Sequence, residues 1–331
     1  MKKIAVIIPV SEFEDAAVVE RSAEAITALN YTDLEVRVVY AVDVITDEDE
    51  RVSALKLKQA GLEVFTRQRR GKRAGAINDA LLYLADFHPD YVALFDVDSR
   101  PDRNFVTECV TALEREPKAY IASSRRYVSN PVNFVSRTVQ AEYYLLNFLL
   151  KRSAFKQFNG LIGVLRADLL NAHPLDEGVI TEDADYATRL YAQGYHAVLV
   201  YPTRLYEQAP VSWRELLNQQ KRWYYGGLQL WRHWKLVRRS PNRKFVHAWL
   251  LALTLSYCVM LLLPLALLAP FVILVYPRSS LADGALQKPP LSVSLGLVVL
   301  IFILQYSAIV ALLNFIRGRG VAWQPMHRVG D

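Results

Sequence analysis

The sequence predicts an α/β domain built on a mainly parallel sheet, followed by a membrane module with one interfacial segment and two spanning helices. Three observations predict it. Over the first 230 residues, short β-rich runs alternate with helically spaced stretches, the pattern of parallel strands joined by crossover helices. Residues 248–276 and 291–316 carry no charged side chain, and at ~1.5 Å per residue each is long enough to cross a hydrocarbon core of roughly 30 Å. The formal charge of +6 is also divided unevenly. Residues 1–230 hold 28 basic and 31 acidic side chains, whereas residues 231–331 hold 11 basic and 2 acidic ones.

Composition narrows the function classes. With 331 residues, 52% of them hydrophobic, and only two cysteines, neither a disordered chain nor a disulfide scaffold fits. A pI near 9.2 suggests nucleic-acid binding, but the first 230 residues are net acidic, so nucleic acid is not an expected partner. Cys109 and Cys258 fall in the soluble part and in a span respectively, which argues against pairing.

Taken in order, the strands are expected at residues 3–10, 35–42, 62–66 and 91–95, with helices at 13–29, 47–60 and 74–86. In an open α/β sheet, ligands bind beyond the carboxyl ends of strands. Those ends carry Pro9, Asp43 and Asp96-Val97-Asp98. No GxGxxG turn follows the first strand and no P-loop occurs, which disfavours a dinucleotide site. In an extended segment Asp96 and Asp98 point to the same side and suit one hard cation, although paired acids after a strand also serve in turns, and Pro101-Asp102 reads as the next helix start.

The basic cluster Arg67, Arg69, Arg70, Lys72 and Arg73 follows the third strand and suits either solvent or an anionic nucleotide. Thr181 is a fair N-cap for a helix over 182–193, and Glu182 and Asp183 then either complement the helix dipole or supply a general base. Ser212 and Glu215 have capping-box spacing ahead of Gln219, Arg222 and Trp223. These three stand at i, i+3 and i+4 on one helix face, which suits a diphosphate and a sugar as well as it suits an interfacial belt.

The membrane module follows. Residues 231–247 mix Trp with basic residues and read as an amphipathic segment on the membrane surface. The first span is 248–276, a loop at 277–290 lies outside, the second span is 291–316, and 317–331 form a cytoplasmic tail. Basic residues flank the outer ends of the spans, so the positive-inside rule places both termini and the catalytic part in the cytoplasm at the cell membrane. The first apolar run is short and meets Glu12, Glu14 and Asp15, so no signal peptide is expected.

The order of the pieces is more specific than any one of them. GKRAGAIN, a strand ending in DVD, FNG with GVLRAD, TEDAD and QQKRW together resemble membrane-bound inverting glycosyltransferases of family 2, the group with cellulose, chitin and hyaluronan synthases and ceramide glucosyltransferase. The resemblance covers about residues 1–235 and implies a GT-A domain. It further implies that Asp96 and Asp98 hold Mg²⁺ or Mn²⁺ and that Asp183 is the catalytic base. Pro9, Asp43, Lys72, Arg73, Gln219, Arg222 and Trp223 are then expected at the nucleotide-sugar, with Phe158, Asn159, Gly160 and Glu182 beside the acceptor. The donor is expected to be a UDP-sugar, and the acceptor a lipid or a growing polysaccharide. Two spans are few for a polysaccharide channel, so either a lipid-linked acceptor or a homo-oligomer would follow. The chain departs from the family after its first strand, where Pro9-Val10-Ser11-Glu12 lacks the usual aromatic. The competing readings are a membrane-anchored nucleotide-binding scaffold without turnover and a sugar nucleotidyltransferase. The second needs a Gly-rich start that is missing here.

Overall fold

The computed structural model describes residues 1–44, 52–68, 70–261, 291–322 and 328. Among these, eight strands form one sheet in the order β3-β2-β1-β4-β7-β6-β8-β5. Strands β1 (Lys2–Val10), β2 (Leu34–Val44), β3 (Glu63–Gln68) and β4 (Tyr91–Leu94) are mutually parallel. Strand β1 is central and covered on both sides, so side chains of both parities are buried. Ala5 and Ile7 enter the core on one face, and Ile4, Val6 and Ile8 the core on the other. Helices α1 (Ala16–Thr27), α2 (Val52–Gln59) and α3 (Lys72–Tyr83) fall where helical spacing places them. The part of the second expected helix at 47–51 lies outside the described residues.

Beyond β4 the sheet is mixed rather than mainly parallel. Strand β5 (Arg100–Pro101) runs antiparallel to β8 (His196–Glu207), so Pro101 ends in a strand, and the next helix, α4, starts later, at Phe105–Arg115. Strand β6 (Ala119–Val128) is parallel to β8. Strand β7 (Gly163–Arg166) inserts antiparallel between β4 and β6. Gly163 makes that insertion possible. Its φ is 155°, and a Cβ there would lie 2.6 Å from the Ala122 carbonyl oxygen, a distance that only glycine avoids.

Helix α5 (Phe134–Arg152) starts in a capping box between Asn133 and Ser136. After α6 (Ala167–Ala172) comes α7 (Glu182–Ala192), and then α8 (Trp213–Gln229), which opens on the expected box. Ser212 Oγ accepts from Glu215 N at 3.3 Å, and Glu215 Oε2 accepts from Ser212 N at 3.2 Å.

The expected surface segment at 231–247 is built into the domain. It contains α9 (Trp234–Val237) and the start of α10 (Arg243–Leu261). Val237, Phe245 and the following Trp249 are fully buried, and Trp249 Nε1 donates to Thr188 Oγ1 on α7 at 3.1 Å. Trp231 and Trp234 remain partly exposed. Buried Asp185 on α7 ties this segment down through His233 Nε2 at 2.6 Å and through Arg232, and it also binds Arg189.

Of the two expected spans, the first continues past α10 into residues 262–276, which with the loop 277–290 lie outside the described residues. The second is α11 (Leu291–Ile316). Among the described residues, Leu295–Ile316 is the one helix long and apolar enough to cross a membrane. It packs lengthwise on α5 and α8. Leu297 and Leu300 join Val135, Val139 and Leu216, Ser307 Oγ donates to the Leu217 carbonyl at 3.4 Å, and Phe315 meets the ring of Tyr225 edge-on at 5.7 Å.

Candidate active site

The carboxyl ends of β1, β2 and β4, the start of α3, the turn before β7, the start of α7 and one face of α8 surround a single cleft of about 970 Å³. Pro9, Asp43, Lys72, Arg73, Asp96, Asp98, Asn159, Gly160, Glu182, Asp183, Gln219, Arg222 and Trp223 all line it. Phe158 does not. Its ring is 2% exposed and sits in the core beneath the turn, because an aromatic side chain there gains more from burial than from facing a polar cleft.

Arg73 organises one wall. Its Nε donates to Asp96 Oδ1 at 2.8 Å and its Nη1 to Glu182 Oε1 at 3.0 Å. Burial alone would raise the Asp96 carboxyl, but the Arg73 guanidinium outweighs it and holds the group below its ordinary value. Glu182 goes the other way. Burial lifts it, and the neighbouring Asp183 adds to the lift against Arg73. Lys72 and Arg73 are the members of the basic cluster that reach the cleft. Arg67 is spent on Asp43 at 2.5 Å and Asp79 at 2.8 Å, Arg70 leans on Asp79, and Arg69 lies outside the described residues.

Asp183 is buried at the first turn of α7. Its Oδ2 accepts the Gly160 N–H at 2.6 Å and its Oδ1 accepts the Ala184 N–H at 2.8 Å. Gly160 can aim its N–H this way because it sits at φ 65°. Thr181 does not cap α7 with its side chain as expected. Its Oγ1 is buried against Gly226 of α8, where a Cβ would lie 2.2 Å away. That close approach brings the α8 face, with Gln219, Arg222 and Trp223, up to Asp183. Burial pulls the Arg222 guanidinium below its usual value, against the attraction of Glu182, Asp183 and Asp96.

Asp98 is 5% exposed. Its Oδ2 accepts the Gln208 N–H at 3.1 Å and also pairs with Arg328, whose other nitrogen lies 3.8 Å from Glu14. Sequence reasoning missed Arg328, Arg126 and Glu207. Arg126 Nη1 binds Glu207 Oε2 at 3.0 Å, and Arg126 Nη2 donates to the Asn159 carbonyl. Burial pushes Glu207 up to about 7, and its Oε1 is buried without a hydrogen-bond partner. Glu207 ends a strand, so the strand-end rule could have found it. Arg328 has no local signal.

Among the described residues no cluster of three or more Asp, Glu, His or Cys is arranged to hold a metal by itself. Asp96 and Asp98, with the orphaned Glu207 Oε1 nearby, are nonetheless hard oxygen donors of the type Mg²⁺ or Mn²⁺ takes when substrate phosphate completes the set.

The sequence matches the model of glycosyl transferase family group 2 over residues 91–313 and that of glycosyl transferase family 2 over residues 5–170. It is 28% identical over 183 residues to the probable glucomannan 4-beta-mannosyltransferase 7 of Oryza sativa subsp. japonica, covering 53% of this chain and 31% of that protein. It is 26% identical over 258 residues to the probable glucomannan 4-beta-mannosyltransferase 3 of Arabidopsis thaliana, covering 74% and 46%. The chain thus spans about a third to a half of the length of the curated relatives it matches. Among solved structures it is similar to the mannosyltransferase PcManGT from Pyrobaculum calidifontis, in complex with GDP-Man and Mn²⁺. The TM-score is 0.63 at 20% identity, over 96% of this chain and 88% of that one, a likeness of fold that makes the domain GT-A-like. With the two family models matched across the strands, the cleft and the C-terminal helix, the chain belongs to glycosyl transferase family 2.

Proposed function

We propose that this chain transfers a mannosyl residue from GDP-mannose to a hydroxyl of a growing polysaccharide or lipid-linked saccharide, with inversion, at the cytoplasmic face of the cell membrane. The observation that carries the proposal is the convergence on one cleft of a buried carboxylate, Asp183, with the guanidinium groups of Arg73, Arg126 and Arg222. The names of the relatives and the GDP-Man of the fold neighbour favour a mannose donor over the UDP-sugar expected from the sequence.

Asp183 takes the acceptor proton as the hydroxyl oxygen bonds the anomeric carbon. The bond from that carbon to the diphosphate breaks on the opposite face, and its electron pair leaves with the nucleoside diphosphate beside Arg222. Two backbone N–H groups hold Asp183 by its two oxygens and leave its outer lone pairs to the acceptor. Asp96 and Asp98 would hold Mg²⁺ or Mn²⁺, which when bound supplies positive charge to the diphosphate. Trp223 offers a flat apolar surface to a sugar ring. The test is nucleoside diphosphate release by the detergent-purified chain with Mn²⁺ over a panel of GDP- and UDP-sugars. GDP-mannose consumption dependent on an added saccharide acceptor is the expected result, and consumption of no donor overturns the proposal.

A further inference from the structure

Two atoms on the β6–β8 wall of the cleft are left over by the chemistry above. Among the described residues, Glu207 Oε1 and Arg126 Nε are buried and have no hydrogen-bond partner. They belong to one ion pair, since Glu207 Oε2 already takes Arg126 Nη1 at 3.0 Å. Buried polar atoms are nearly always bonded, so two of them side by side on a cleft wall mark the place of a ligand. The spare Glu207 oxygen does not complete a metal site, because Glu207, Asp96 and Asp98 are not arranged as a trio that could hold an ion.

The pair is rigidly held and close to Asp183. Arg126 lies on β6 and Glu207 ends the neighbouring strand β8. Asn147 of α5 bonds the Arg126 N–H at 3.1 Å and the Arg126 carbonyl at 2.7 Å. Arg126 Nη2 donates to the Asn159 carbonyl, and the N–H of the same peptide unit, that of Gly160, donates to Asp183 Oδ2 at 2.6 Å. One peptide plane therefore separates the guanidinium from the carboxylate, which at ordinary bond lengths leaves them within ~8 Å of each other. A single sugar ring with its hydroxyls covers that span.

The unused valences define the ligand. An ionised carboxylate only accepts and a guanidinium only donates. A phosphate would serve Arg126 Nε and leave Glu207 Oε1 bare, and an ammonium would do the reverse. Two neighbouring hydroxyls serve both, one donating to Oε1 and the other accepting from Nε. We infer that Glu207 and Arg126 grip a vicinal diol on the terminal sugar of the acceptor, and so decide which hydroxyl of that ring meets Asp183. This rests on the proposed transfer to a saccharide hydroxyl and names what selects the saccharide. Arg328 lines the cleft with the pair, and its charge acts on Glu207 as well as on Asp98. The diol comes within reach once metal and nucleotide draw Arg328 off Asp98.

The test reads binding, apart from turnover. The detergent-purified full chain with GDP and Mg²⁺ is titrated with mannotriose, and with analogues that each lack one hydroxyl of its terminal sugar, by saturation-transfer NMR. The parent should bind two of the analogues about tenfold more weakly than mannotriose, because a site built to bond a hydroxyl rejects the ligand without it. Glu207→Gln keeps a partner for Arg126 and gives up the free carboxylate oxygen. It should bind mannotriose about tenfold more weakly than the parent and lose its discrimination against one of those two analogues, with GDP and Mn²⁺ affinities unchanged. Glu207→Asp, which withdraws the same oxygen and keeps the charge, should show the same loss. Discrimination equal in parent and variants would overturn the inference. So would displacement of mannotriose by farnesyl phosphate, which would put a phosphate at the pair, or weaker Mn²⁺ binding in Glu207→Gln, which would make Glu207 a metal ligand. A parent that discriminates among the saccharides yet consumes no nucleotide-sugar would sink the transferase proposal and leave the diol site standing. Donor turnover with no such discrimination would do the opposite.

Discussion

The Gly160 N–H points at Asp183 Oδ2 from 2.6 Å, so a turn ahead of β7 holds a carboxylate that belongs to α7. If that carboxylate is the base, Asp183→Asn keeps the shape and loses the proton acceptor. Transfer should fall by about 10²–10⁴-fold, while GDP-mannose binding, followed by calorimetry, stays within a few-fold of the parent. Near-normal turnover would remove Asp183 from that role.

Arg126 stands one step behind the same turn. It is clamped by Glu207 at 3.0 Å, its own backbone is bonded from both sides by Asn147, and it grips the Asn159 carbonyl. Arg126→Ala should free the turn and lower kcat about tenfold with the KM for donor little changed. A loss carried entirely by KM would instead make Arg126 a donor ligand.

Arg328 competes with any cation for Asp98 Oδ2. Arg328→Ala should therefore tighten Mn²⁺ binding in the absence of donor by about tenfold, equivalent to 1.4 kcal/mol, as read by the loss of the free Mn²⁺ EPR signal. Unchanged or weaker Mn²⁺ binding would show that the ion does not use Asp98.

Gly226→Ala places a methyl group 2.2 Å from Thr181 Oγ1. Overpacking of that sort costs about 1–3 kcal/mol, so the melting temperature should drop and activity should fall as α8 retreats from α7. Adding Thr181→Ala should recover part of both, since it removes the two side-chain atoms nearest the new methyl. No recovery in the double variant would locate the strain elsewhere.

Asp185 gives a pH dependence with a definite sign. Burial works against its charge, but His233 and Arg232 prevail and hold it down at about 2, below the ordinary 3.8. Its contribution of about 2 kcal/mol is present above pH 3.8 and is lost as the pH falls towards 2. The stability difference between the parent and Asp185→Asn, measured by urea unfolding, should be present at pH 5 and shrink below 4. A difference that persists undiminished down to pH 2 would contradict the ion-pair account.

The four parallel strands were legible because each is a β-rich run bounded by turn residues, and their carboxyl ends located Pro9, Asp43, Asp96 and Asp98 on the cleft. Asp183 and the Gln219, Arg222 and Trp223 face were legible because the spacing of their segments is kept in sequence. Strand β7 was not, since four residues carry no period and its direction depends on Gly163 passing close to Ala122. Thr181 misled for a related reason. Its N-cap chemistry is generic, and the contact that decides its position lies on Gly226, 45 residues later. Arg328 and Arg126 act across sequence separations of 230 and 33 residues, which no local pattern records.

The Asp98–Gln208 bond has a further consequence, for the order in which the molecule can be made. Synthesis runs at about 5–20 residues per second, and β1 to β4 have all emerged when Asp98 does. Gln208 follows 110 residues later and Arg328 230 residues later. A nascent chain therefore holds Asp98 for many seconds with neither the amide nor the guanidinium group that later restrains it. The N-terminal half can gather around its own strands early. The cleft closes later, first as α8 settles onto Thr181 and then as Arg328 reaches Asp98.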